Sequence, residues 1–218
     1  MNESTVMHDS YLTLSAPGEA EFIEKRSRFI SFAVHVETEE EAKDFVAAIR
    51  KRFYDARHVC YAYALGADVW TEEFDPIARG VAVVRANDDG EPGGSAGKPI
   101  LGQLRSRGLT YAVVAVVRYF GGVKLGTGGL AVAYRTGASL ALDAATTEEQ
   151  VLMAKLVVEV PYADQDAVLR VVREGGADII ARDYTAISVV LTVSVRQKNA
   201  DILRERLEKI YTIIFHEQ

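Results

Sequence analysis

The stretch 88–99 reads DDGEPGGSAGKP and the stretch 116–130 reads VVRYFGGVKLGTGGL, and these two segments decide the fold. We call them the first and the second glycine segment, because most of the chain's 17 glycines lie in or beside them. Glycine weakens helices and strands, so its clustering indicates turns with positive φ or backbone that another group approaches closely. Residues 111–117 are apolar and rich in β-branched side chains, which predicts a buried strand.

The surroundings of the two segments predict that they meet in space. Each follows a predicted strand, 77–84 or 111–117, and each opens a predicted helix. If the two strands belong to one sheet and run in the same direction, both helix starts face the same edge. The sequence then predicts one continuous groove lined by the two segments.

The remaining elements complete an α+β pattern. In the N-terminal half, strands are predicted over 19–24, 28–36 and 58–65. Thr38 and Glu41 have the spacing of a capping box, which predicts a helix that ends at Arg52. In the C-terminal half, the predicted order is strand 151–160, helix 163–174, strands 179–184 and 187–195, helix 199–209 and strand 211–216. This strand-helix-strand-strand-helix-strand order is ferredoxin-like.

The two glycine segments, read together, resemble the paired signatures of the YigZ/IMPACT family. The resemblance extends from residue 18 to the C-terminus, as in the two-domain bacterial members. It implies an N-terminal domain like the second domain of a small-subunit ribosomal protein (the S-five domain 2-like type). It also implies a ferredoxin-like C-terminal domain similar to the last domain of elongation factor G. The resemblance further implies a role linked to translation, through binding of RNA, ribosomes or a translation factor.

The predicted domain limits follow from these patterns. Residues 1–17 carry no strong pattern and are expected to form a loose lead-in. The IMPACT-like domain is expected over 18–146 and the ferredoxin-like domain over 147–218, with the boundary in the polar stretch 146–150.

Composition narrows the class of protein. With 49% hydrophobic and 26% charged residues and no long apolar run, the chain is typical of a soluble globular protein without a membrane span. The single cysteine, Cys60, permits no internal disulfide and fits a cytoplasmic location. The net charge of −6 argues against indiscriminate binding to polyanions, so a nucleic-acid surface has to be a local patch.

Basic and glycine residues near the two segments form the candidate anion or RNA site. They are Lys25, Arg28, Lys98, Arg118, Lys124, Gly126, Thr127, Gly128 and Gly129. Free amides at a helix start attract anions, and lysine or arginine adds full charge. The alternative, equally weighted, is that the glycines only form a tight turn. Phe29, Tyr119 and Phe120 are candidate stacking surfaces, although Phe29 and Phe120 are expected in the core.

Three acids of the first segment, Asp88, Asp89 and Glu91, allow several interpretations. Carboxylates bind magnesium, but an acidic turn facing solvent is the favoured interpretation. Arg118 lies in an apolar strand and therefore needs a buried partner, which predicts an ion pair with one of the three acids. An unpaired acid would oppose an anion in the groove.

Known catalytic patterns are not matched. The first segment departs from a P-loop at Pro92 and Pro99, and the second lacks the strand and acid that follow a dinucleotide fingerprint. His58 and Cys60 are too few ligands for zinc, and Cys60 is expected to be buried and not catalytic. No catalytic set, metal or cofactor is predicted. Three functions stay open: a translation-linked protein that binds RNA, ribosomes or a translation factor; an enzyme acting on a phosphorylated or nucleotide substrate; and a protein-interaction module.

Overall fold

The computed structural model describes residues 9–70 and 83–216 of the chain. The chain divides into two compact units. One is Tyr11–Gln150, and the other is the chain from Val151 onward together with the residues just before Tyr11. No helix within the described ranges is long and apolar enough to cross a membrane.

The first unit is built on a five-stranded antiparallel sheet. Its elements are β1 Ser10–Ala16, β2 Gly18–Glu24, β3 Ser27–His35, α1 Glu39–Arg52, β4 His58–Leu65, β5 Val83–Asn87, α2 Gly97–Ser106, β6 Ala112–Tyr119, α3 Gly126–Ala144 and β7 Thr146–Val151. The sheet has the strand order β2-β3-β6-β4-β5. The predicted strand 77–84 lies outside the described residues except for its last two positions, where β5 begins.

The central strand β6 is buried along almost its whole length, as its apolar run predicts. One face of the sheet packs against α2 and α3, where Phe29, Val116 and Tyr134 belong to one core cluster. The other face packs against α1, where Ile49 and Val113 belong to a second. Helices thus cover both faces of the sheet but not its edges.

Strands β5 and β6 run in the same direction. Both pair antiparallel with β4, which lies between them in the sheet. Each strand therefore ends at the same edge, and the two glycine segments leave the sheet there. The condition on which the predicted groove depends is met.

Helix α1 begins with the predicted cap. The Thr38 hydroxyl accepts a hydrogen bond from the Glu41 amide at 3.1 Å. The Glu41 carboxylate accepts from the Glu37 amide at 2.8 Å, one residue before the cap. Three acids in the first turn and three bases in the last complement the helix dipole.

The N-terminal lead-in is not loose within the described residues. Strand β1 pairs with β7, so the polar stretch 146–150, expected as a boundary, is itself a strand. Leu14 is buried in the first core cluster, and the Thr110 amide donates to the Leu12 carbonyl at 2.9 Å. The pattern of residues 1–17 alone did not reveal β1, because its partner lies more than 100 residues away.

The second unit has the predicted strand-helix-strand-strand-helix-strand order. Its elements are β8 Met153–Pro161, α4 Gln165–Glu174, β9 Asp178–Tyr184, β10 Ser188–Arg196, α5 Ala200–Glu208 and β11 Ile214–His216. The sheet order is β11-β8-β10-β9, and the pairs are antiparallel. Val168 of α4 and Leu203 of α5 are buried in its core. This is the ferredoxin-like arrangement.

Candidate functional site

The two glycine segments enclose a cavity of about 340 Å³ at the shared sheet edge. We call it the groove. Its lining residues are Arg57, His58, Glu91, Pro92, Arg118, Phe120, Lys124, Leu125, Gly126, Thr127 and Leu130. Both segments contribute lining residues, and the residues just before and at the start of β4 complete the wall.

A buried ion pair forms the floor of the groove. The Arg118 guanidinium donates to Glu91 Oε1 at 2.6 Å, and both side chains are almost fully buried. The Tyr134 hydroxyl donates to the same oxygen at 2.8 Å. The predicted carboxylate partner of Arg118 is confirmed, and it is Glu91. Because the two charges offset each other, Arg118 does not supply free positive charge to the groove.

Two aromatic rings flank the Arg118 guanidinium. Its central carbon lies 5.7 Å from the centre of the Phe29 ring and 5.5 Å from that of Phe120. Phe29 is buried, as expected, but Phe120 is 47% exposed and lines the groove. The expectation that Phe120 belongs to the core is therefore wrong. Phe120 follows the end of β6 and lies beyond the sheet, so its ring is open to solvent on one side.

The side chain of Asp88 binds the backbone amides at the start of α2. Its carboxylate accepts from the amides of Gly94 at 2.8 Å, Ala96 at 2.9 Å and Gly97 at 2.8 Å. Burial alone would raise the pKa of Asp88, but these amides and the nearby Lys98 outweigh it and lower the pKa. The α2 start is thus occupied by a carboxylate of the protein.

Asp89 is also satisfied within the chain. Its carboxylate pairs with Arg50 at 2.8 Å and accepts from the Val59 amide at 2.6 Å. Burial tends to raise its pKa, and these two partners lower it below the ordinary value. The Asp89 carbonyl lies 2.7 Å from His58 Nδ1. All three acids of the first segment therefore have partners. In the described ranges, no group of three or more His, Cys, Asp or Glu side chains is arranged to hold a metal ion.

The start of α3 differs from the start of α2. Gly126 has a φ of +74°, Leu125 occupies the cap position, and no side chain caps the helix. Gly126 and Thr127 line the groove, so the free amides of this first turn open beside it. Gly128 and Gly129 belong to the same turn but do not line the groove.

Two cations on the groove wall have no counter-ion among the residues that the structure describes. Arg57 and Lys124 are exposed, and neither forms an ion pair with another described residue. The groove therefore combines two unpaired positive charges with an uncapped helix start. Lys124 was predicted and Arg57 was missed. Arg57 comes just before β4, which is antiparallel to β5 and β6 and therefore begins at the edge where they end. The sequence alone gives no signal for this position.

Three predicted basic residues lie outside the groove lining. Lys25 is in the β2–β3 turn with a φ of 44°. Arg28 forms a two-bond ion pair with Glu21 at 2.7 Å, and its guanidinium lies 5.9 Å from the Tyr119 ring centre. Lys98 is exposed on the first turn of α2, beside Asp88.

Cys60 is buried beneath the first glycine segment. Its thiol donates to the Asp88 carbonyl at 3.0 Å. Burial raises the pKa of the thiol, which disfavours the reactive thiolate. This environment fits the packing role that the sequence predicts.

Comparison with known proteins identifies the family. The Impact N-terminal domain matches residues 25–142. IMPACT family member YigZ of Escherichia coli (strain K12) is 35% identical over 187 residues, which are 86% of this chain and 86% of that protein. IMPACT family member YvyE of Bacillus subtilis (strain 168) is 40% identical over 156 residues, which are 72% of this chain and 66% of that protein.

A solved structure is similar over nearly the whole chain. It is described as the crystal structure of a hypothetical protein, and it is 31% identical with a TM-score of 0.67. The match covers 97% of this chain and 98% of that one. Sequence and fold therefore agree: the chain belongs to the IMPACT family.

Proposed function

We propose that this IMPACT family member is a cytoplasmic, translation-linked regulatory protein that binds RNA through the groove. The observation that carries the proposal is the charge distribution there. Arg57 and Lys124 have no ion-pair partner within the described ranges, while the three acids of the first segment are each engaged by partners inside the chain. A protein of net charge −6 thereby keeps a local patch that suits phosphate.

The exposed ring of Phe120 supports RNA as the ligand. An aromatic face beside a basic groove is how single-stranded nucleic acids are bound without a strict sequence preference. Such stacking contributes about 1–3 kcal/mol per base. The Arg118 guanidinium behind the ring, at 5.5 Å from its centre, fixes the ring's position. The link to translation rests on the resemblance to the family.

The test is the binding of single-stranded RNA by the full chain, measured by fluorescence anisotropy across a salt series. Lys124→Ala is expected to weaken binding and to reduce the steepness of the salt dependence, because one phosphate contact is lost. Lys209→Ala is the matched control, since Lys209 is an exposed lysine of the other unit and lines no part of the groove. If the parent protein does not bind RNA at low salt, the proposal is wrong.

A second candidate is an enzyme acting on a phosphorylated or nucleotide substrate. The cavity volume favours it, since about 340 Å³ lies in the range of small-molecule sites. Two titratable groups nearby do not, because Glu91 is paired with Arg118 and the Cys60 thiol is buried. His58 also lines the cavity, with its Nδ1 2.7 Å from the Asp89 carbonyl. Incubation with nucleotides, followed by product analysis, tests this candidate directly.

A further inference from the structure

The groove has the size of a single nucleotide. Its volume of about 340 Å³ is near the lower end of the range for ligand sites, roughly 300–1,000 Å³. Buried residues close its floor, namely Glu91, Arg118 and Leu130. Exposed residues form its rim, among them Arg57, Phe120 and Lys124. A ligand therefore enters from the rim and stops at the floor.

The charge of the groove matches a doubly ionised phosphate. Arg57 and Lys124 carry one charge each that no described residue pairs, and the uncapped α3 start adds a partial charge of about +0.5. An internal phosphodiester of RNA carries a single negative charge. A phosphate monoester carries about −1.5 to −2 at neutral pH. The monoester is the better electrostatic complement.

The floor of the groove also contains a buried arginine whose Nε is shielded from solvent. Arg118 is 5% exposed and lines the groove, and its Nε has no hydrogen-bond partner among the described residues. Buried donors without acceptors are rare in proteins, and each one indicates strain, function or an absent bound group. Glu91 already uses one side of the guanidinium, at Nη1.

We infer that the groove binds a terminal nucleotide phosphate, with the phosphate between Arg57, Lys124 and the α3 start and the base against Phe120. The ligand is the phosphorylated end of an RNA strand or a free nucleoside monophosphate, which share this chemistry. The inference rests on the proposed function and deepens it: the groove recognises the end of a strand instead of its internal backbone.

The experiment compares one short RNA sequence in three forms: with a 5′-phosphate, with a 3′-phosphate and with neither. The full-length protein is expected to bind at least one phosphorylated form about tenfold more tightly than the unphosphorylated form, the ratio for one charge-assisted hydrogen bond. Competition with a nucleoside monophosphate and with the bare nucleoside separates the two sources. Displacement by the monophosphate at equal affinity identifies the free nucleotide as sufficient.

Two variants connect the preference to the groove. Arg57→Gln and Lys124→Gln are expected to reduce the preference for the phosphorylated form towards one. Arg105→Gln is the matched control, because Arg105 is exposed on α2, has no ion pair among the described residues and lies outside the groove. All three are surface changes, and their melting temperatures should equal that of the parent.

The possible results distinguish the terminal-phosphate inference from the proposed binding of RNA. Equal, salt-dependent binding of all three RNA forms, weakened by Lys124→Gln, overturns the terminal-phosphate inference and leaves RNA binding standing. A preference for the phosphorylated form that survives both variants overturns the placement in the groove. No binding of any form overturns the inference and the proposed function together.

Discussion

The buried pair of Arg118 and Glu91 shows how one strand residue organises the site. An arginine in an apolar strand is costly unless a carboxylate reaches it, and the first glycine segment delivers Glu91 to within 2.6 Å. The second segment places Phe120 against the same guanidinium. The pair therefore connects the two segments, and the groove floor depends on both.

Removal of the buried carboxylate charge is expected to be strongly destabilising. Glu91→Gln keeps the shape of the side chain but leaves Arg118 buried beside a neutral group, which should lower the free energy of unfolding by about 3 kcal/mol. Glu21→Gln is the control, because its pair with Arg28 is about half exposed and should contribute little to stability. Urea denaturation measures both. Equal effects of the two changes would contradict the assignment.

At the scale of elements, Asp88 acts as the cap of α2. Asp88→Asn should lower the free energy of unfolding by about 1 kcal/mol at neutral pH, since a carboxylate at a helix start is lost. The folded-state pKa of Asp88 lies below its ordinary value of 3.8, so its contribution is present above that pH. It is lost as the pH falls through the folded-state pKa. The stability curves of parent and variant should therefore converge in acid, and a gap that stays constant would exclude this role.

Close packing between β5 and α2 explains the glycine at the start of α2 without reference to any ligand. A Cβ on Gly97 would lie 2.5 Å from the Asn87 amide nitrogen, which is backbone and cannot move aside. Gly97→Ala should lower the free energy of unfolding by about 1–3 kcal/mol. Gly93→Ala is the matched control, because nothing lies within 4 Å of its added Cβ, and it should be nearly neutral. Thermal denaturation distinguishes the two variants. An unchanged melting temperature of the Gly97→Ala protein would show that the neighbouring backbone can shift to make room.

The sequence predicted those features that depend on local pattern or on one strong constraint. The α1 cap, the buried β6 strand, the ferredoxin-like order and a carboxylate for Arg118 are of this kind. Strand β1 was missed because its pairing with β7 joins distant residues. Arg57 was missed because its place at the groove follows only from the direction of β4 in the sheet. Which acid binds which partner depends on the turn geometry of the first segment. That geometry cannot be inferred from the residue types.

At the scale of the whole molecule, each compact unit has its own core. The fragment 151–218 retains the buried cluster around Val168 and Leu203 and loses only the groups preceding Tyr11. Among these is Asp9, whose side chain pairs with the half-exposed Lys198 at 2.9 Å. An ion pair with a half-exposed partner contributes little to stability. The fragment is expected to unfold cooperatively in urea, as followed by circular dichroism. A gradual unfolding transition without a folded-state baseline would contradict independent folding of the fragment.

Two helices begin at the same sheet edge, and a side chain of the protein already occupies one of these helix starts. The Asp88 carboxylate takes the amides of α2 that an external phosphate would otherwise bind, whereas the first turn of α3 keeps its amides free. The two glycine segments therefore have similar positions in the fold, but only the second leaves a helix start open to a ligand. Calorimetric titration with a phosphorylated ligand should give a stoichiometry of one per chain and a single class of affinity.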